Sequence, residues 1–158
     1  MSTSLSSAGN DGANRTLRQR WMAALARAPS NHLEAAWAAF EPPPTYELLR
    51  APEIGMVMVR GRSGGTGPKF NLGEMTVTRC VVRLGSGTLG YGYVAGRDRG
   101  HAERAAVFDA MLQEDATHAR LMRELVEPAE ATIASAARDV RQKAAATKVQ
   151  FFTMVRGE

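Results

Sequence analysis

The chain has 158 residues, 44% hydrophobic and 23% charged, with 20 Lys+Arg against 16 Asp+Glu for a net charge of +4. That is one domain's worth of ordinary globular composition, and the small positive balance favours acidic partners or phosphorylated ligands only mildly. A single cysteine, Cys80, excludes an internal disulfide and any cysteine-built metal site within the chain, and it fits a reducing, cytoplasmic setting. No window is apolar for long enough to span a membrane, the opening MSTSLSSAGNDGAN has neither part of a signal peptide, and no basic run with interleaved aromatics points to nucleic acid.

Residues 1–14 are Ser, Gly, Ala and Asn with too little apolar surface to offset ordering entropy, and read as a disordered extension to one domain over 15–158. From about Arg15, Leu17, Trp21, Ala24, Leu25 and Ala28 recur at helical spacing until Pro29. Ser30 or Asn31 can cap a second helix carrying Leu33, Ala36, Trp37 and Phe40, which Pro42, Pro43 and Pro44 stop. The period then changes. Tyr46 to Arg50, Ile54 to Arg62, Thr76 to Leu84 and Leu89 to Ala95 have strand composition, and their short connections predict antiparallel pairing. Met56 and Met58 fall on one face of their strand and Val57 and Val59 on the other, which predicts cover on both sides. Helices follow over His101 to Gln113, around Leu121 to Val126 before Pro128, and over the alanine-rich Ala129 to Thr147, whose thin apolar stripe asks for a neighbour. Lys148 to Gly157 has strand composition again and either returns to the sheet or lies along another subunit. The fold class is therefore α+β: an N-terminal helical hairpin, an antiparallel sheet of about four to five strands, C-terminal helices and a final strand.

Two stretches carry candidate chemistry. Gly61 to Glu74 holds five glycines, with Gly64, Gly65, Thr66 and Gly67 at its centre; it lacks the Gly-Lys-Ser/Thr of a Walker loop, and it reads either as a hairpin connection or as backbone that approaches a ligand. Gly87 to Arg104 passes from a strand with Tyr91 and Tyr93 on one face and the bare Gly90 and Gly92 on the other, through Gly96, into a helix start crowded with Arg97, Asp98, Arg99, His101, Glu103 and Arg104. Asp98 suits an N-cap. The arginines beside unpaired helix N–H groups either stay solvated or attract phosphate and carboxylate. His32, His101 and His118 show no metal-ligand spacing, and no Gly-x-Ser-x-Gly elbow or other nucleophile–base pair is evident, so neither a metal nor a catalytic residue is assigned.

RQRWM at Arg18 to Met22, GTGPKFNLGEMTVTR from Gly65 to Arg79, GTLGYGYVAGRDRGHAER from Gly87 to Arg104 and FFTMVRG from Phe151 to Gly157 together resemble PhnG, a subunit of the bacterial carbon–phosphorus lyase core complex. The resemblance implies assembly with PhnI-, PhnH- and PhnJ-type subunits, joined by a PhnL-type ATPase in the first step of phosphonate catabolism. That step transfers a phosphonate to the ribose of ATP with release of adenine. The nucleosidase chemistry is ascribed to PhnI and the radical iron–sulfur chemistry to PhnJ, so the resemblance implies a required but non-catalytic subunit with no cofactor of its own, ATP being a co-substrate of the complex. Gly64, Gly65, Thr66, Gly67, Arg79, Arg97, Asp98, Arg99, His101, Glu103 and Arg104 are the candidate ligand-binding or interface residues.

Overall fold

The computed structural model describes residues 7–63 and 66–147, and only the backbone of 7–15. The first helix, α1 (Ser7–Arg27), starts well before the apolar periodicity at Arg15, inside the stretch read as disordered, and Pro29 separates it from α2 (Ser30–Ala38). The two expected N-terminal helices are present, and both pack on the later helix Arg99–Leu112. The second has no side-chain cap, because Pro29 holds the cap position and the Ser30 hydroxyl is used elsewhere.

The sheet has three strands among the described residues, β1 (Tyr46–Arg62), β2 (Lys69–Leu84) and β3 (Leu89–Ala95), in the order β1-β2-β3 and antiparallel throughout. Four or five were expected, and the difference has two sources. Tyr46 to Arg50 and Ile54 to Arg62 form one strand, since Pro52 lies where the register slips between Arg50 and Glu53 on an edge strand, and there its missing N–H interrupts no ladder bond. Lys148 to Gly157 lies outside the described residues. Much of the presumed glycine-rich loop is also strand, for β1 and β2 stay paired as far out as Arg62 opposite Lys69.

Beyond the last β2–β3 pair, Val77 with Ala95, β1 and β2 continue alone as a two-stranded ribbon. Its eight further residues on β2 carry it roughly 25 Å past the three-stranded part. The expectation that Met56 and Met58 would be covered fails here. They are 63% and 51% exposed, with Leu72 at 61% and Phe70 at 46%, because among the described residues no helix reaches this far along the sheet.

The inner face of the sheet is covered by α3 (Arg99–Leu112), nearly all of whose residues from His101 onward are buried. Gly90 and Gly92 explain how close it lies: a Cβ on either would come within 1.9 Å of the Ala106 or Ala102 carbonyl oxygen. The face those glycines leave bare is filled by helix backbone. Gly87 and Gly96, both at φ +93°, make the β2–β3 turn and the strand-to-helix break, a conformation only glycine adopts freely. Phe108 is fully buried with Trp37 edge-on at 6.1 Å and Phe40 tilted at 6.3 Å, which ties α2 to the core.

After α3 the chain enters α4 (Asp115–Leu121), a π turn over Met122–Val126, and α5 (Glu127–Ala146) without a break. Pro128 was expected to end a helix but sits in the first turn of α5. The π turn is why: the Glu127 N–H reaches back to the Met122 carbonyl, and the proline ring follows where no helical N–H is required. Only Ala129 of α5 is buried, so most of this alanine-rich helix stands exposed.

Candidate functional site

The helix start chosen from the sequence forms as expected and turns out to be tied into the fold. Asp98 caps α3: its Oδ1 accepts the His101 backbone N–H at 2.8 Å and its Oδ2 the Ser30 hydroxyl at 3.0 Å. The His101 N–H first, then the Ser30 hydroxyl and the Arg104 guanidinium, hold this carboxyl below the usual range despite partial desolvation. The anion position at the helix start is thus taken by the protein's own carboxylate. Arg104 donates to Glu34 at 2.9 Å and to Ser30 at 3.4 Å, so with Asp98 it clamps α2 to α3.

His101 is buried, and its Nε2 lies 2.7 Å from the Leu25 carbonyl. A carbonyl only accepts, so Nε2 carries the proton and the ring secures the last turn of α1. Glu103 accepts the Tyr46 hydroxyl at 2.5 Å; burial first and this carboxylate second push the Tyr46 phenol up to about 12. Arg97 and Arg99 flank the cap and remain exposed.

Arg79 stands on the opposite, outer face of the sheet. There Glu47 sits directly across from Arg83 and Glu53 from Arg79, with ion pairs of 2.7 Å and 3.3 Å, and Arg50 reaches Glu53 at 3.7 Å. Directly opposed charges of this kind each add a few tenths of a kcal/mol or about 1 kcal/mol at most. Leu89, Tyr91 and Tyr93 continue this outer face and are partly exposed. Thr66 and Gly67 lie at the ribbon tip, where the Gly67 N–H closes a turn on the Ser63 carbonyl at 3.0 Å; Gly64 and Gly65 lie outside the described residues. The glycine-rich tip and the arginine-rich helix start are therefore held apart by the length of the ribbon and do not form one cradle.

A cluster the sequence reading did not single out sits behind β3. Asp109 is 1% exposed and accepts four N–H groups: Arg18 Nε at 3.2 Å and Nη2 at 2.8 Å, Trp21 Nε1 at 2.9 Å and the Tyr91 backbone at 2.9 Å. Gln113 Nε2 donates to the Leu89 carbonyl at 2.7 Å, so α3 side chains close part of the free edge of β3 that would otherwise accept another strand. Arg18 and Trp21 also line a cleft of about 500 Å³ with Gln113 and His118, and Arg18 lies 5.6 Å over the Tyr91 ring. The spacing of Arg18 and Trp21, three apart on one helix face, was the available signal; their common partner 88 residues further on was not visible. Among the described residues no group of three or more His, Cys, Asp or Glu could hold a metal, and no helix is long and apolar enough to cross a membrane.

These features define an α+β domain with one sheet face sealed by helices, an ion-paired outer face and an apolar ribbon reaching past the core. Residues 16–157 match the family described as "Phosphonate metabolism protein PhnG", and the chain belongs to that family. It is 44% identical over 149 residues to the alpha-D-ribose 1-methylphosphonate 5-triphosphate synthase subunit PhnG of Rhizobium meliloti (strain 1021), covering 94% of this chain and 95% of that protein.

Proposed function

We propose that this chain is a required, non-catalytic subunit of a cytoplasmic ribose 1-methylphosphonate 5-triphosphate synthase, supporting transfer of a phosphonate to the ribose of ATP with release of adenine. Its partners are PhnI-, PhnH- and PhnJ-type subunits, with a PhnL-type ATPase in this step. The observation that carries the reading is the ribbon. A two-stranded ribbon with Met56, Met58, Phe70 and Leu72 in water is marginal by itself and gains stability when another surface covers it. The similarity to a named synthase subunit supplies the identity of that assembly. Co-expression with the PhnI-type partner is the test: a stable complex at micromolar concentration, with adenine release lost when this chain is omitted and restored when it is added back, is expected. A chain that stays separate from its partner sinks the reading.

A second reading gives this chain a direct contact with the triphosphate. It is favoured by Arg97 and Arg99, which flank the Asp98 cap in the open. Replacing Arg97 and Arg99 by Ala then stops adenine release from an intact complex; unchanged turnover excludes it.

A further inference from the structure

Charge is distributed unevenly along the sheet. On the three-stranded part, Arg50, Arg79 and Arg83 all have carboxylates from Glu47 and Glu53 on the same outer face. At the ribbon's end the arrangement reverses. Arg62 lies directly opposite Lys69 and Arg60 opposite Asn71, and none of the three cations makes an ion pair among the described residues. Like charges facing each other across a strand pair destabilise it, and here they cap a segment whose Met56, Met58 and Leu72 are also in water. Both departures sit in the outer part of β1, from Met56 on, and the start of β2.

We propose that the ribbon inserts between the walls of an apolar groove of a partner subunit whose rim carries carboxylates. Met56 and Met58 rest against one wall, Leu72, which lies over Gly61 on the other face, rests against the opposite wall, and Arg60, Arg62 and Lys69 face the acids. The proposal rests on the reading of this chain as a complex subunit. An apolar centre bordered by charge is the usual anatomy of a specific interface, and methionine adapts to an irregular groove. A second copy of this chain fits poorly, because the chain is net positive and its outer-face carboxylates Glu47 and Glu53 are already paired with arginines. A free polyphosphate would match the cations and leave the three apolar side chains uncovered.

The test uses the full chain assembled with its co-expressed partner subunits. Zero-length carbodiimide coupling of the wild-type complex should join Lys69 to an Asp or Glu of a partner, identified by mass spectrometry. The triple variant R60E/R62E/K69E should bind the partner at least ~10-fold more weakly at low salt, with most of the salt dependence gone. Met58→Ser with Leu72→Ser should weaken binding while keeping the salt dependence. Circular dichroism and elution of the isolated variants, unchanged from wild type, separate docking from folding. Wild-type affinity in both variants, a free Lys69 in the complex, a homodimer broken by the same substitutions, or displacement of the partner by inorganic triphosphate would each overturn the proposal. If the wild-type chain joins no partner, the subunit reading itself falls; if it assembles and only the ribbon variants are silent, the docking mode alone is wrong.

Discussion

Asp109→Asn keeps the size of the side chain and removes one of its two acceptor oxygens, which makes it a clean probe of how α1, α3 and β3 are joined. Oδ1 receives Arg18 Nε and Trp21 Nε1, and Oδ2 receives Arg18 Nη2 and the Tyr91 N–H. Whichever way the amide is turned, its NH₂ faces either the indole N–H or the strand N–H, and stranding one such donor costs about 1–3 kcal/mol. Arg18 also loses its counter-charge; its side chain is 32% exposed, so water replaces much of that interaction and about 1 kcal/mol is a fair ceiling. The total is about 1–4 kcal/mol, and for a chain of this length it lowers Tm by roughly 3–15 °C. Thermal and urea unfolding of the full chain reads this directly. A variant melting within about 2 °C of wild type would refute the view that this carboxylate holds the three elements together.

Three further outcomes follow from the same geometry. Asp98→Ala should cost about 1 kcal/mol at neutral pH through loss of the α3 cap. Because the folded carboxyl is held below its unfolded value, the stabilisation is present above the unfolded pKa and fades as pH falls through the folded one, so wild type and variant should converge in urea titrations run below about pH 4; a gap that is constant with pH contradicts this. Gly90→Ala places a Cβ 1.9 Å from the Ala106 carbonyl and should destabilise by more than about 2 kcal/mol in the same assay, whereas Gly85→Ala, with nothing within 4 Å of its Cβ, should change little. The Cys80 thiol is buried and pushed up to about 11 by that burial and by the charge of Glu103, so the native chain at pH 8 should react with a thiol reagent only after unfolding; prompt stoichiometric labelling would contradict the structure.

Local rules were enough to read the helices, the N-cap at Asp98 and the break at Gly96, because spacing, capping chemistry and glycine's conformational range act within a few residues. The motifs from Arg18 to Met22, Gly65 to Arg79, Gly87 to Arg104 and Phe151 to Gly157 together were likewise enough to point to the family. The partners that several groups in those motifs take within the chain lie far off along it. His101, a candidate ligand-binding or interface residue, donates to Leu25; Arg104, another, holds Glu34; Arg18 and Asp109 found each other across 91 residues.

The ribbon shows the same division. Composition made Gly61 to Glu74 a loop because glycine weakens a strand, but the register of β1 against β2 carries pairing through it. Alternating Met and Val predicted two covered faces, and it could not report how far α3 reaches along the sheet. The amino-acid order by itself determined the centres of most helices and strands and the family they belong to, since those follow from near neighbours. Which apolar residues end up covered, and which charges find a counter-charge, depends on how far one element extends over another, and that only the packed molecule decided.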